Sequence, residues 1–385
     1  MDEKTTAKRE KRQNGIWRLL SCLYGATMGI FVVVLLYRRA PELLEWDTAS
    51  MLAAILAALV FLYFIQCLLH ELGHLAGGLL SGYRFGWLRV FSLMLMRRDG
   101  RLRLRRQRIR LMSYMGECFM FPPFGKGEAA PSAMFYLGGA AANLVSALIF
   151  GAAGLWLTHG LLSAFLLLAA VDGLHHALWS LVPRIYRGVM NDAAKLRALR
   201  RDRTARWEAR LQASLLGKLI DGVRLRDMPA EWFELPDFIA PDSEEGRAMK
   251  LRQSSRLLDA HRFDEAAQRL AELLTDEGLA GTLRTLAEED RAALALLGYG
   301  KAEIMPGEDA AQLLKREICS VLRTEYIRAL LQRGDSAEAA RLRKRLEHAA
   351  AQSLFSADVE IERELAAMAD ELARRRGILP ASGAF

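Results

Sequence analysis

The sequence predicts a mainly α-helical protein: a polytopic transmembrane helical core with a small membrane-associated β-hairpin, followed by a C-terminal soluble α-helical domain. Two observations predict this fold. The first half contains apolar runs of about the 20 residues that a helix needs to cross a bilayer. The second half is rich in charged residues and alanine, with helical periodicity. The mean hydropathy of +0.08 averages over two halves of different character.

Four runs are long and apolar enough for spanning helices: Ile16–Tyr37, Ser50–Leu80, Ala133–Leu157 and Leu161–Val182. A tight break at 158–160 separates the last two. The first run could instead be a signal peptide, but it is too long for one and no small-residue cleavage site follows it. We therefore predict an uncleaved span, with a basic tail at residues 1–15 and a membrane core at residues 16–200.

Basic residues are unevenly distributed between the predicted loops. Most lie in the N-terminal tail, in the loop between the second and third spans, and directly after the fourth span, whereas the opposite side has only Arg38 and Arg39. Because cytoplasmic loops carry the excess of Lys and Arg, we predict a multi-pass cell-membrane protein with both termini in the cytoplasm. The net charge of +8 then indicates contact with the lipid bilayer, and no signature of nucleic-acid binding accompanies it.

The loop between the second and third spans predicts a β-hairpin at about residues 85–111. Trp87–Met96 is mostly apolar and aromatic, and Asp99-Gly100 is a hairpin turn signal. Arg101–Arg105 then alternates arginine with leucine, as a strand does. We expect this hairpin to lie against the inner face of the membrane.

Residues 201–385 predict a cytoplasmic helical domain. Three prolines between about Asp227 and Ser243 indicate a linker. Beyond it, two segments predict pairs of helices around turns at 261–266 and 333–335. These pairs are similar to tetratricopeptide-type repeats, although a small helical bundle fits the pattern as well. Such a domain could bind a cytoplasmic protein partner.

The strongest chemical signal is the motif His70-Glu71-Leu72-Gly73-His74 inside the second span. Residues four apart lie on one face of a helix, so both imidazoles can bind one zinc ion. The carboxylate of Glu71 can then act as general base towards a water that zinc activates. Ionisable side chains inside a span are costly unless they face a cavity or bind something. The alternative is a pair of hydrogen-bonded structural histidines.

A catalytic zinc ion normally has three protein ligands and one open position. Four side chains could supply the third ligand: Asp172, His175, His176 and Asp192. Spacing alone does not choose between them. The four cysteines are scattered without CxxC spacing, which argues against a zinc–thiolate site or a disulfide framework.

Three segments together resemble the site-2-protease family of intramembrane zinc metalloproteases. The first is the HExxH motif in a spanning helix, and the second is the Gly138–Leu144 segment, which is similar to the Gly-Pro-x-x-Asn segment of the family. The third is Ser180–Pro183 with the later Asn191-Asp192-Ala193. The resemblance covers about residues 16–196. It implies that Asp192 is the third ligand of one zinc ion and that Asn143 binds the substrate backbone.

This sequence departs from the family pattern at three positions. Ala140 stands where Pro is usual, Ser180 where Asn is frequent, and Ala193 where Gly is usual. Asn143 also has an alternative role, since a buried Asn among small residues often joins two helices by hydrogen bonds.

The resemblance implies an intramembrane zinc metalloendopeptidase that hydrolyses membrane-embedded or membrane-adjacent peptides. An alternative is an inactive zinc-binding membrane scaffold that acts through its cytoplasmic domain, although metal binding alone does not require Glu71. A metal transporter is a third class, but four spans without an internal repeat fit it poorly.

A substrate must be locally extended at the bond that is cut, and its backbone groups then need partners in the bilayer. We expect one edge of the hairpin, Trp87–Met96, to pair with the substrate as an added strand. Alternatively, the arginines of the hairpin bind anionic lipid head groups.

Overall fold

The computed structural model describes residue 27 and residues 29–98, 101–106, 115–122, 132–186, 189–301 and 306–380. These residues divide into two compact units. The first contains the described residues of Met1–Met96, Leu104–Met120 and Pro131–Arg200, and the second those of Arg97–Arg103, Phe121–Ala130 and Arg201–Phe385. The long C-terminal part of the second unit begins at Arg201, directly after the predicted membrane core at residues 16–200.

Long apolar helices form the first unit. They are α1 (residues 29–39), α2 (Thr48–Leu80), α3 (Ala133–Trp156) and α4 (Leu161–Leu181). The last three are long and apolar enough to cross a membrane, and they match the second, third and fourth predicted spans. Most of the first predicted span lies outside the described residues. Side-chain caps start two of these helices: Asp47 accepts from the Ser50 amide, and Ser132 accepts from the Phe135 amide.

Glycines bring α2 and α3 into backbone contact. A Cβ atom added to Gly73 would lie 2.2 Å from the carbonyl oxygen of Gly138, and one added to Gly77 would lie 2.0 Å from that of Met134. No side chain fits in either place. Small residues allow this close approach between membrane helices, and here it sets the distance between the HExxH motif on α2 and the facing residues of α3.

Gly77→Ala is expected to destabilise the membrane unit. Alanine favours an isolated helix by about 1 kcal/mol over glycine, but overpacking against a backbone carbonyl costs about 1–3 kcal/mol and outweighs that gain. Thermal unfolding of the purified protein in detergent measures the change. Gly151→Ala is the matched control, because its added Cβ would make an ordinary 3.5 Å contact with Ala170. Equal melting temperatures for the two variants would contradict this account of the helix contact.

The region after α2 forms a four-stranded antiparallel sheet instead of a single hairpin. Its strands are β1 (Arg84–Val90), β2 (Leu93–Arg98), β3 (Arg101–Arg106) and β4 (Gly116–Phe121), in the spatial order β3-β2-β1-β4. The predicted turn at 99–100 lies outside the described residues. A short two-stranded sheet, β5 (Ile185–Tyr186) and β6 (Val189–Met190), follows α4.

The expectation that Trp87–Met96 is one edge strand is wrong. This segment folds back on itself, so that Trp87 pairs with Met96 and Val90 with Leu93. The reversal occurs at Phe91, which has a φ of 52°. Glycine or asparagine usually takes such a conformation, so the sequence carries no signal for this turn. Both strands of the pair lie inside the sheet, and the outer strands are β3 and β4.

The second unit is helical. The short helix α5 (Asp192–Arg201) follows β6 and ends where the C-terminal part of this unit begins. The helices that follow are α6 (Arg203–Ile220), α7 (Glu244–Asp259), α8 (Phe263–Leu274), α9 (Gly281–Leu296), α10 (Ala310–Lys315), α11 (Cys319–Ile327), α12 (Ser336–Gln352) and α13 (Glu360–Arg375). A π-helical turn at Arg328–Gln332 follows α11. The predicted helix pairs correspond to α7 with α8 and to α11 with α12, and a true repeat array stays a prediction.

The segment predicted as a linker is packed instead. It forms two short 3-10 helices, Leu225–Asp227 and Ala230–Phe233. Met228 and Phe233 are buried in a core with Leu211 of α6 and with α7. The prolines mark turns in this segment, but the apolar residues between them hold it against the helices.

Candidate metal centre

Two histidines on α2 converge on one point. His70 and His74 are one helical turn apart, and their Nε2 atoms are 3.1 Å from each other. His74 is buried, and His70 is half-buried. The i, i+4 spacing alone dictates that the rings share a face of the helix.

Asp192 reaches the same point from a distant part of the chain. It is the first residue of α5, and its Oδ2 lies 3.2 Å from the Nε2 of His70 and 3.4 Å from the Nε2 of His74. Ser180 on α4 donates a hydrogen bond to the same oxygen at 2.9 Å. Asn191 helps to position Asp192, because the Nδ2 of Asn191 donates to the carbonyl of Val182 at 2.8 Å and so connects the start of α5 to the end of α4.

The hydrogen bonds at Nδ1 determine where the two imidazoles carry their protons. The Nδ1 of His74 faces the carbonyl oxygen of Phe135 at 2.7 Å, and the Nδ1 of His70 faces the Oδ1 of Asn143 at 2.6 Å. The amide of Asn143 is oriented by Gln66, whose two oxygens accept from its Nδ2 at 2.8 and 2.9 Å. Both Nδ1 atoms therefore donate, and a neutral imidazole then has a lone pair on Nε2.

When both rings are neutral, two nitrogen lone pairs and a carboxylate oxygen face one another without a proton between them. Such an arrangement is repulsive unless a cation lies at its centre. Four tetrahedral ligands at about 2.0–2.1 Å from a zinc ion are roughly 3.3–3.4 Å apart. The separations of 3.1, 3.2 and 3.4 Å are close to that value. His70, His74 and Asp192 thus form a group that could hold a metal ion.

The electrostatics of Asp192 agree with a ligand role. Burial alone would raise the pKa of this carboxyl, but the hydrogen bonds and the positive charge that His70 and His74 offer when protonated lower the pKa below its usual range. Asp192 is therefore ionised at neutral pH. A carboxylate in this state is ready to bind a cation without first losing a proton.

Glu71 lies beside the group and against the sheet. Its side chain is buried. A Cβ atom added to Gly116, the first residue of β4, would lie 2.2 Å from Oε1 of Glu71. Only glycine leaves room for the carboxylate at this point, so β4 fixes one side of its position.

Asn143 orients a histidine in this structure. It is fully buried, and it uses both N–H groups on Gln66 and its oxygen on His70. These contacts match the alternative role of joining two helices. Binding of substrate by Asn143 stays a prediction.

The other three candidate ligands lie elsewhere on α4. The Nδ1 of His176 donates to the backbone carbonyl of Asp172 at 2.9 Å, and His175 packs against Trp179. The candidate metal group found among the described residues includes none of them.

Sequence reasoning missed the roles of several residues that shape the centre. Ser180 holds Asp192, Gln66 fixes the amide of Asn143, and the carbonyl of Phe135 orients His74. Gly139 lies under both rings, since an added Cβ would be 2.6 Å from the Nε2 of His70. The signal for Ser180 was its position in the family-like segment. A backbone carbonyl leaves no signal in a sequence.

Asp192→Ala is expected to lose the metal, whereas Asp172→Ala is expected to retain it. Removing one of three protein ligands weakens zinc binding strongly, but Asp172 contacts none of the converging atoms. The zinc content of both purified proteins, measured by atomic emission, checks the ligand set. Loss of zinc in the Asp172 variant alone would show that the wrong carboxylate has been chosen.

No protein-family model, no curated protein and no solved structure matches the chain. The chemistry proposed below is therefore supported by the arrangement of side chains and by the resemblance of individual motifs.

Proposed function

We propose that the protein is an intramembrane zinc metalloendopeptidase that hydrolyses membrane-embedded or membrane-adjacent peptides. The observation that carries this proposal is the convergence of the Nε2 atoms of two histidines, whose Nδ1 atoms face acceptors, and the Asp192 carboxylate beside a buried glutamate. His70, His74 and Asp192 would hold one zinc ion.

When bound, zinc supplies Lewis acidity to a water molecule and to the carbonyl of the peptide bond. Glu71 would act as general base and take a proton from the attacking water as the new bond to the carbonyl carbon forms. The same carboxylate gives the proton to the amine as the carbon–nitrogen bond breaks. Asn143 and the carbonyl of Phe135 hold the two imidazoles in the tautomer that this chemistry requires.

The position of Glu71 favours a peptidase over an inactive scaffold. A site that only binds metal has no use for a buried carboxylate at the residue after its first ligand. Burying a carboxylate in an apolar helix is costly, and at Glu71 the chain retains it where it flanks both histidines. Peptide hydrolysis needs a general base at this place, which explains why a carboxylate is retained despite the cost of burying it.

The sheet suggests where substrate could be aligned. The strand that lies at the edge nearest to Glu71 is β4, whose first residue touches that carboxylate. An extended substrate paired with the outer side of β4 would have its backbone groups satisfied close to the centre. Trp87 stacks on Phe119 at 4.2 Å between ring centroids and holds β4 against β1.

A membrane location is part of the proposal. Three helices of the first unit are long and apolar enough to span a bilayer. We propose a multi-pass protein with both termini in the cytoplasm, in accordance with the distribution of Lys and Arg.

Cleavage that depends on zinc tests the proposed activity. Purified protein in lipid nanodiscs is incubated with a library of membrane-spanning peptides, and the products are identified by mass spectrometry. We expect a chelator to stop cleavage and added zinc to restore it. Metal that is bound stoichiometrically, without any product from the library, would favour the scaffold.

A further inference from the structure

A second group of ionisable side chains lies in the middle of α4, in the first unit. Asp172 is close to the centre of this helix, and His176 follows it by one turn. Oδ1 of Asp172 is 3.4 Å from the Nδ1 of His176, which donates to the backbone carbonyl of Asp172 at 2.9 Å. Oδ2 of Asp172 is buried and makes no hydrogen bond to any described residue. The carboxylate is therefore poorly satisfied by the residues that the structure describes.

No lysine or arginine neutralises this carboxylate in the part of the chain that the structure describes. The guanidinium of Arg184, farther along the same segment, lies instead over the ring of Trp179, 3.8 Å from its centroid. His176 is the one basic side chain that Asp172 pairs with among the described residues. A carboxylate within an apolar span is costly unless a partner compensates its charge.

The group is connected to the metal centre along one face of α4. Asp172, His176 and Ser180 follow at intervals of four residues, so they lie on a common stripe of the helix. Ser180 donates to Oδ2 of Asp192, which is one of the converging metal-binding atoms. Eight residues of helix rise about 12 Å. An extended peptide covers that distance in about four residues.

Aromatic rings border the pair of Asp172 and His176, and one of them is partly exposed. The ring of Tyr63 lies 5.1 Å from that of His176 and 6.2 Å from that of Phe91. Tyr63 is 40% exposed, so a side chain from outside the unit can approach it. The charge of a carboxylate and the face of a tyrosine ring each attract a cation.

We propose that Asp172 forms a subsite for a cationic side chain, lysine or arginine, of the peptide substrate. This inference rests on the proposed function, because it assigns the substrate of that same centre. The cation of the substrate and the carboxylate of Asp172 neutralise each other where neither is stable alone. The spacing puts the cation about four residues from the bond that is cut if the substrate is extended, and farther if it is helical.

Binding measurements separate this subsite from the catalytic step. The protein carries Glu71→Gln and is loaded with zinc, and the probes are three fluorescent leucine–alanine membrane peptides. They are identical except for one central residue, which is lysine, norleucine or glutamate. We expect the lysine peptide to bind at least about tenfold more tightly than the norleucine peptide, and the glutamate peptide most weakly.

Asp172→Asn is expected to remove most of the preference for lysine over norleucine, and Asp172→Lys to transfer the preference to the glutamate peptide. Zinc content measured on each variant shows that the centre is intact. Equal binding of all three peptides before any change at Asp172, or a preference that survives Asp172→Asn, would overturn the subsite. In the latter case Asp172 serves only as a partner of His176. Cleavage by the protein with Glu71 is measured separately, so a failure of the proposed activity is seen independently of peptide binding.

Discussion

Glu71→Gln is expected to abolish peptide cleavage while the metal stays bound. The substitution keeps the shape of the side chain beside Gly116 and leaves both imidazoles and Asp192 in place. It removes the group that accepts the proton of water, and a general base contributes about 100-fold to 10,000-fold to the rate. Cleavage of a membrane peptide and zinc content are measured on the same purified sample.

Glu117→Gln provides a matched control for that experiment. Glu117 is the next residue after Gly116, and its carboxylate is more exposed and lies 3.5 Å from the Nε of Arg89. Arg89 is buried, but its guanidinium also donates to the carbonyl of Phe91 at 3.1 Å, so the variant should stay folded and cleave at nearly the normal rate. A Glu71→Gln protein that cleaves as fast as this control would refute the role of general base.

The local part of the centre was predictable because it depends on one helix. The spacing of His70 and His74 fixes their common face as soon as the segment is helical, and its apolar composition predicts a long helix. Asp192 is 122 residues from His70 in the chain. No periodicity relates residues so far apart, and from spacing alone Asp172 was an equal candidate. Only the resemblance to a family distinguished the two before the structure did.

The sheet and the supporting contacts were not predictable for a different reason. The turn at Phe91 uses a positive φ without glycine, asparagine or aspartate, so the rules for turns could not locate it. The carbonyl of Phe135 becomes a partner of His74 only because glycines bring α2 and α3 together. Such contacts depend on how helices pack, and the pattern of one helix does not contain that information.

Gly139→Ala is expected to prevent metal binding although the helix itself is favoured. Alanine raises helix propensity by about 1 kcal/mol over glycine, so the fold of α3 should survive. Its Cβ, however, would lie 2.6 Å from the Nε2 of His70 and 2.7 Å from the Nε2 of His74. Hydrogen bonds at both Nδ1 atoms prevent the rings from turning away. The methyl group therefore competes with the metal for the same space.

Titration of zinc into the metal-free protein measures this effect. We expect the affinity of Gly139→Ala to fall by at least about 10-fold to 100-fold, the range seen when groups that position ligands are altered. Gly151→Ala in the same helix is the control, because its Cβ makes only a 3.5 Å contact with Ala170 and should leave zinc binding normal. Normal affinity in Gly139→Ala would mean that the metal does not lie between the two Nε2 atoms. Because only zinc and the folded protein are needed, the experiment tests the centre without any knowledge of the substrate.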